Sequence, residues 1–393
     1  MKTRALVRCA VASAAAAVAV AVGTLPASSA TAASSAEVAT SRYIVTLEAG
    51  TAGPSTVASV AGTQLGRSAP GERPLRVFKN VGAYTADLTA AEAATLAGAP
   101  GVAAVEADAV VTTQVTQSNA PWGLDRIDQR NRPLSTTYSY ARTGAGVRAY
   151  VIDTGIRFGH NDFGGRAVTG YDAVDGGSAD DCNGHGTHVA STLGGATYGV
   201  AKGVTLVGVR VLNCSGSGTT SGVVAGIDWA TSNHSAGTPA VANLSLGGGA
   251  STAIDSAINR LISDGVTVVV AAGNSSASAC NSSPARVPAA LTVAASDRTD
   301  RFASFSNRGS CVDVIAPGVS ITAAWYTSNT ATATISGTSM ASPHAAGAAA
   351  KVLQGSPSAS PASVNGTIVS SATTGVITGV PTGTPNRLLY SNL

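Results

Sequence analysis

The chain has 393 residues, a net charge of +3, 11% charged residues and 45 glycines. A chain of this length can hold one large domain and one small one. The low charge content suits a buried α/β core and argues against disorder, and the small net charge gives no indication of a nucleic acid or an anionic membrane as partner.

The N-terminal segment, residues 1–33, is typical of a secretory signal peptide. Three basic residues up to Arg8 precede an apolar run over residues 10–22, and Ala30-Thr31-Ala32 follows as a candidate cleavage site. A membrane anchor is the alternative, but the apolar run is short and no basic stop follows it. We therefore expect a secreted, extracellular protein that has no membrane attachment after signal cleavage.

Residues 41–114 are predicted to form a small domain with the element order β-α-β-β-α-β. The pattern of apolar residues predicts strands over 42–47, 76–88 (one or two strands) and 102–106, and helices over 55–65 and 89–97. This order is that of a ferredoxin-like α+β fold. A unit this small buries only a modest core, so we expect it to depend on a partner surface. The polar stretch 111–119 is predicted to be an extended linker.

A second domain, residues 115–393, shows short apolar runs that alternate with helical segments. Strands are predicted over 147–152, 205–212, 241–246, 266–271, 291–294 and 312–315, and helices over 186–193, 222–234, 252–263 and 340–353. Strands that are apolar throughout belong to a parallel sheet covered on both faces. Because ligands of such sheets bind outside the carboxyl ends of the strands, we expect the functional residues there.

Four cysteines remain once the signal segment is removed: Cys182, Cys214, Cys280 and Cys311. An even number in an exported protein indicates disulfides, and four cysteines allow three pairings. Each bridge over about 30 residues would stabilise the fold by about 3–4 kcal/mol. A zinc site is the alternative, but the sequence has no Cys-x-x-Cys pair to support it.

Four polar residues lie where predicted strands end or predicted helices begin: Asp153, His185, Asn274 and Ser339. Each has an ordinary structural explanation as a strand-end carboxylate, a helix-start residue, a turn residue or a helix cap. Together they match the needs of catalysis by a hydroxyl, which requires an imidazole to take its proton and an acid to orient that imidazole. An amide can also stabilise a developing oxyanion.

The spacing of His185 and His188 leaves another possibility open, because two histidines one turn apart can bind a metal ion. No third ligand motif lies nearby, and we expect His188 to pack inside the domain.

The segments around the four polar residues resemble the subtilisin-like serine proteases, which carry Asp, His and Ser in this chain order. The matching segments are Val151–Gly155, Asn183–Ala190, Ala271–Asn274 and Gly337–His344. Two further segments, Ala120–Asp128 and Asn386–Tyr390, resemble the proteinase K and aqualysin branch. The resemblance covers residues from about 115 to the end, and it implies a three-layer α/β/α domain with a mainly parallel sheet.

The resemblance implies a serine endopeptidase that acts on protein and peptide substrates. In that family Ser339 would attack the peptide carbonyl, His185 would take and return the proton, and Asp153 would orient the imidazolium. Asn274 and the N–H of Ser339 would hold the oxyanion.

The resemblance also assigns two backbone edges that clamp a substrate as an added strand. One edge is Gly216, Ser217 and Gly218, and the other is Ser245, Leu246, Gly247 and Gly248. Their glycines keep the first specificity pocket open, which suggests apolar or aromatic side chains before the cut. The aqualysin-like cysteine pattern further implies the pairs Cys182–Cys214 and Cys280–Cys311.

Structural calcium is the cofactor that the resemblance implies. One site would use the carbonyl oxygens of Pro288 and Ala290 with the carboxylate of Asp313. A second would use Asp125, Asp128 and Gln129, although Ser135 and Thr137 stand where some relatives have an acidic and an amide ligand.

The small N-terminal unit resembles the family's pro-domain, which assists folding and acts as a tethered inhibitor. The enzyme would then cut itself free with a mature start at residues 115–120, as a monomer. Two alternatives remain: an exported binding or inhibitory protein without turnover, and an α/β-hydrolase esterase. The intact set of four residues argues against the first. Gly-Thr-Ser-Met-Ala in place of Gly-x-Ser-x-Gly argues against the second.

Overall fold

The computed structural model describes residues 40–108 and 115–392. The chain divides between Val111 and Thr112 into two compact units, which are described separately. The predicted signal segment and residues 109–114 lie outside the described residues. No helix among the described residues has the length and apolar character needed to cross a membrane.

The N-terminal unit is a four-stranded antiparallel sheet with two helices. Its elements are β1 (Ser41–Leu47), α1 (Val57–Ser68), β2 (Arg76–Phe78), β3 (Ala83–Leu88), α2 (Ala90–Ala97) and β4 (Val102–Ala107). The strand order β2-β3-β1-β4 is that of a ferredoxin-like fold. Helix α2 begins with a capping box, in which Thr89 and Glu92 bond each other's backbone N–H. The predicted element order is confirmed.

The second unit begins with a two-stranded antiparallel pair and continues as an α/β domain. Its first elements are β5 (Val115–Ser118), α3 (Trp122–Ile127), β6 (Thr137–Tyr140), β7 (Arg148–Asp153), β8 (Ala167–Asp172), α4 (His185–Gly194), β9 (Thr205–Arg210), α5 (Thr220–Asn233), β10 (Ala240–Leu244), β11 (Gly248–Gly249) and α6 (Thr252–Ser263). The remaining elements are β12 (Thr267–Ala271), β13 (Ser282–Ser283), β14 (Leu291–Ser296), β15 (Val314–Pro317), β16 (Ile321–Ala324), β17 (Thr332–Ile335), α7 (Thr338–Gly355), α8 (Pro361–Ser371), β18 (Thr373–Thr374) and β19 (Arg387–Leu388).

The central sheet has the order β18-β19-β15-β14-β12-β10-β7-β9-β8 and is parallel except for the β18–β19 pair at one edge. Successive residues of its strands point to opposite faces, so Val151 packs in one core and Ile152 in the other. The first core is shared with α4 and α7, and the second with α5 and α6. The predicted three-layer α/β/α architecture is confirmed.

Helix α7 is buried along most of its length, and its small residues explain why. A Cβ atom at Gly347 would lie 2.6 Å from Val200 and 2.9 Å from the carbonyl oxygen of Leu193. Only glycine allows α7 to approach α4 this closely. This contact sets the two helices that carry Ser339 and His185 side by side.

The predicted linker is wrong over residues 115–118. These residues form β5, which pairs antiparallel with β6, and Gln117 donates a hydrogen bond to Thr197 O at 3.0 Å. Polar side chains suit this exposed strand because neither of its faces joins the core. Several other elements are not predicted, among them β6, β8, β16, β17, α3 and α8. Ser360 and Pro361 carry the cap and first-turn signals of α8.

Candidate active site

Asp153 and His185 meet at the carboxyl edge of the central sheet. Asp153 ends β7 and is fully buried, and His185 is the first residue of α4. His185 Nδ1 lies 2.7 Å from Asp153 Oδ1, which also accepts the N–H of Thr154 at 2.7 Å. Because Nδ1 faces the carboxylate, Nε2 is the ring nitrogen that remains available to a substrate or nucleophile.

The surroundings of His185 raise its pKa above the ordinary value for histidine. Burial alone lowers this pKa, but the charge and hydrogen bond of Asp153, with a further contribution from the charge of Asp181, outweigh burial. The imidazolium form of His185 is therefore stabilised relative to a histidine in water.

Ser339 lies in the first turn of α7 and is hydrogen-bonded to Ser245 on the loop that follows β10. The hydroxyl of Ser339 donates to Ser245 O at 3.0 Å, and the hydroxyl of Ser245 donates to Ser339 O at 2.8 Å. Pro343 has no N–H to offer the carbonyl four residues earlier, so Ser339 O is free to accept from Ser245. The proton of Ser339 points to Ser245 here and not to His185. Such bonds are often poorly aligned before substrate binds.

Asn274 follows β12 and presents its amide to the same site. Its Oδ1 accepts hydrogen bonds from Thr338 N at 2.8 Å and from Thr338 Oγ1 at 2.9 Å. These two donors fix the amide orientation and leave Nδ2 as the free donor. Asn274 is exposed and lines one cavity together with Ser339.

Two cavities flank these residues. The larger, about 580 Å³, is bordered by His185 and by the two predicted substrate edges, which contribute Gly216, Ser217, Gly218, Ser245, Leu246, Gly247 and Gly248. Asn213 shapes the first edge because its side-chain oxygen accepts the N–H groups of Ser215 and Ser217. On the second edge Gly248 is already paired with Ser283.

The smaller cavity, about 350 Å³, opens beside Asn274 and Ser339. It lies between the segment 245–249 and the segment 271–275, and none of the described residues that line it is charged. A pocket of this size and composition suits an uncharged side chain.

Both cysteine pairs that the resemblance implies are formed. Cys182 is bonded to Cys214 and Cys280 to Cys311. The first disulfide joins the loop before His185 to the loop that follows β9, which leads into the first substrate edge. This loop pair is reinforced by Asn183, whose side-chain amide donates to Cys214 O at 3.0 Å.

The residues suggested for calcium supply oxygen atoms in two places. Asp313 Oδ2 accepts the N–H of Thr292 at 2.8 Å, and burial raises the pKa of Asp313. Asp128 Oδ1 is buried without a hydrogen-bond partner among the described residues, and burial raises the pKa of Asp128 to about 6. A bound cation would give Asp128 Oδ1 a partner and would lower the pKa of both carboxyl groups, so these carboxylates fit a hard ion.

The other suggested ligands of the second calcium site make hydrogen bonds within the protein, which an ion would share or displace. Both oxygens of Asp125 accept hydrogen bonds from Ser135 and Thr136, and the Gln129 amide donates to Pro133 O at 2.8 Å. Among the described residues, no group of three or more His, Cys, Asp or Glu side chains could hold a metal ion.

His188 packs inside the domain, and its Nε2 lies 3.0 Å from Ile321 O. Sequence reasoning missed three buried polar residues of the site, namely Thr154, Asp181 and Asn243. Asn243 could have been noticed as a lone amide within an otherwise apolar strand. Its Nδ2 donates to Ser245 Oγ at 2.9 Å, and its Oδ1 accepts the hydroxyl of Ser342 at 2.7 Å.

Comparison with known proteins identifies both units. A model of the subtilase family matches residues 144–387, and a model of the peptidase inhibitor I9 family matches residues 42–114. An extracellular serine proteinase of Thermus sp. (strain Rt41A) is 60% identical over 301 residues, which are 76% of this chain and 73% of the relative.

Further relatives give the same result. The alkaline serine exoprotease A of Vibrio alginolyticus is 57% identical over 72% of this chain and 52% of its own length, so this chain spans about half of it. A crystal structure of a cold-adapted subtilisin-like serine proteinase is 57% identical with a TM-score of 0.68, over 70% of this chain and 99% of that one. These matches give no support to an inactive binding protein or to an α/β-hydrolase. The chain therefore belongs to the subtilase family and is a subtilisin-like serine protease with an inhibitor I9 unit on its N-terminal side.

Proposed function

We propose that Asp153, His185 and Ser339 form the catalytic triad of this protease and that Asn274 stabilises the oxyanion. The observation that carries this proposal is the hydrogen bond between Asp153 and His185 Nδ1, which leaves Nε2 available. His185 borders the larger cavity and Ser339 the smaller one, and the segment 245–248 lines both cavities. A turn of the Ser339 side chain from Ser245 toward His185 would complete the arrangement.

In the first step Ser339 Oγ forms a bond to the carbon of the scissile carbonyl while its proton passes to His185 Nε2. The π electrons of the carbonyl move to its oxygen, where Asn274 Nδ2 and the unpaired N–H of Ser339 at the start of α7 donate to the new charge. The C–N bond then breaks, and His185 returns the proton to the leaving amine. Water releases the acyl group by the same steps, with His185 again as the base.

The peptide would enter as an extra strand between the two edges of the larger cavity. Its side chain before the cut would occupy the smaller cavity beside Asn274. An uncharged lining favours apolar or aromatic side chains at this position, with broad tolerance beyond it.

The N-terminal unit would make the protein a self-processing zymogen, secreted after removal of the signal peptide. The pairing of β5 with β6 supports a cut on the N-terminal side of Val115, because Val115–Ser118 then stays with the peptidase unit. The I9 unit would remain bound as an inhibitor until it is degraded. Secretion agrees with the extracellular relative from Thermus.

Calcium would be held by Pro288, Ala290 and Asp313, and by Asp125, Asp128 and Gln129. When bound, the ion supplies positive charge to buried carboxylates and stabilises the fold without taking part in the reaction.

A serine-directed phosphonate tests the proposed active site. Wild-type protein is expected to hydrolyse an unfolded protein substrate and to carry the label on Ser339 after peptide mapping. The Ser339→Ala variant should do neither. Failure of folded, processed wild type to hydrolyse the substrate, or a label on another serine, would reject the assignment.

A further inference from the structure

A second buried carboxylate, Asp181, organises the turn that precedes His185. Asp181 is 9% exposed, and its two oxygens accept five hydrogen bonds. Oδ1 accepts from Thr154 Oγ1 and from the N–H groups of Asn183 and Gly184, each at 2.9 Å. A carboxylate that accepts several such bonds holds its donors strongly in place.

The other oxygen of Asp181 binds the first turn of α4. Asp181 Oδ2 accepts from Thr187 N at 2.9 Å and from Thr187 Oγ1 at 2.6 Å. Thr187 Oγ1 in turn accepts the N–H of Arg157 at 3.0 Å. The start of the helix that carries His185 is therefore tied to the loop that follows β7.

Thr154 connects the two carboxylates. Its N–H donates to Asp153, and its hydroxyl donates to Asp181 while it accepts Gly186 N at 2.8 Å. Any displacement of Asp181 is thus transmitted to both sides of the Asp153–His185 pair.

The turn is also supported from its other side. Gly184 has φ +110°, and a Cβ atom at this position would lie 2.4 Å from the ring of Trp325. The turn before His185 is therefore held between the Asp181 carboxylate and the Trp325 indole.

We propose that Asp181 is a positioning residue of the catalytic reaction, which fixes the His185 ring against Asp153 and stabilises the imidazolium formed in the transition state. This inference rests on the proposed role of His185 as the base. Asp181 would act through His185 and through the turn, without contact with the substrate.

The charged and titratable groups that face His185 are few in the described chain. Asp153 faces it from the end of β7, Asp181 from the preceding loop, and His188 from its own helix. Burial lowers the pKa of His188 to about 4, so His188 is neutral in the working range. The two carboxylates are thus the charges that favour imidazolium.

The Asp181→Asn variant removes one of these charges at almost constant volume. It also places an amide NH₂ group beside the N–H and the hydroxyl of Thr187, which donate to Asp181 Oδ2 in the wild type. Because the Asp181 charge raises the pKa of His185, its removal should move the acid limb of kcat/KM down, by about 0.5–1 pH unit. A misplaced base should also lower plateau kcat by about tenfold and leave KM within about twofold.

Asp162→Asn is the matched control. Asp162 is also a buried carboxylate bound to α4, through Ser191 Oγ at 2.7 Å. Ser191 is six residues beyond His185, about 9 Å along the helix. This variant should lose stability but keep the wild-type acid limb. The proposal is overturned if Asp181→Asn keeps the wild-type acid limb and kcat. It is also overturned if Asp162→Asn changes the acid limb and kcat as much as Asp181→Asn does.

A second pair of variants tests the positioning role of Asp181 if Asp181→Asn yields no processed enzyme. Thr187→Ala removes one tie to Asp181 but leaves its charge, so kcat should fall at least threefold with an unchanged acid limb. Thr187→Ser restores the hydroxyl and should restore kcat. Wild-type kcat in Thr187→Ala would overturn the proposal.

Each chain is expressed in full, and the rates of the processed enzymes are divided by the active-site concentration from phosphonate titration. Ser339→Ala is expected to keep its I9 unit and to bind no phosphonate, so its activity is compared per total protein. Wild type and Ser339→Ala are measured beside the variants. An active wild type and an inactive Ser339→Ala support the proposed triad, whatever the Asp181 variants show. The two proposals can therefore fail separately.

Discussion

Ser245 and Ser339 are joined by two reciprocal hydrogen bonds, each hydroxyl donating to the other residue's carbonyl oxygen. The Ser245 hydroxyl also accepts from Asn243, which is fully buried in β10. Ser339, the proposed nucleophile, is therefore anchored to the central sheet through hydrogen bonds to Ser245 and Asn243.

Ser245→Ala should weaken this anchor. The change leaves Ser339 O and Asn243 Nδ2 without a partner, which costs about 1–3 kcal/mol of folding free energy. We expect kcat to fall about tenfold because α7 then places Ser339 less well. Ser342→Ala is the control, since Ser342 bonds Asn243 but not Ser339; it should destabilise the fold and change kcat less. Equal losses of kcat in both variants would contradict this role of Ser245.

The acid limb of kcat/KM should report the His185 ring. His185 must be neutral to accept a proton, and its pKa is raised, so activity should be lost as pH falls through a value above 6.5. Asp153→Asn removes the opposing charge and the acceptor for Nδ1–H. We expect its acid limb to shift to lower pH and its kcat to fall by about 10⁴-fold, the loss known for the equivalent change in another serine protease. Rates measured between pH 5 and pH 9 on a chromogenic peptide test this, and an unshifted limb would contradict it.

Two buried histidines should make the fold sensitive to acid. Burial lowers the pKa of both His188 and His344 to about 4, while an unfolded histidine titrates near 6.5. The unfolded chain binds more protons between these values, so the stabilisation present above pH 6.5 is lost as pH falls toward 4. Each histidine contributes up to about 3 kcal/mol to this loss.

Urea unfolding of the Ser339→Ala variant at several pH values measures this effect without self-digestion. In His344→Gln on that background, the difference in unfolding free energy between pH 7 and pH 4 should shrink by about 2–3 kcal/mol. The same difference in both chains would show that His344 is not the group responsible.

Calcium removal should lower the unfolding temperature, since an ion that binds the folded state stabilises it by mass action. Asp313→Asn and Asp128→Asn should each remove one binding event from a calorimetric titration with CaCl₂. If neither variant changes the number of ions bound, the assigned carboxylates are not ligands.

The sequence predicted the parts of the fold that depend on apolar runs and the parts of the site that depend on short segments. Strands such as β12 are buried on both faces and were found within one or two residues. Exposed β5 has the composition of a linker, because its polar side chains show no pattern of burial. Strand β10 ends two residues earlier than expected because Ser245 turns aside to bond Ser339.

The proposed catalytic residues can be predicted from the glycines and small residues that surround them, whereas the residues that support them cannot. Asp181 and Thr154 accept hydrogen bonds from backbone N–H groups that the turn or the fold brings to them. No local sequence pattern predicts such bonds, so they are seen only in the folded chain.

Maturation of the chain itself shows whether Ser339 performs the reaction. Wild type and Ser339→Ala are expressed side by side, and the intact mass of each secreted product is measured. Wild type is expected to lose everything before about Val115, while Ser339→Ala is expected to keep its I9 unit. Equal trimming of both products, or two unprocessed products, would contradict self-processing by Ser339.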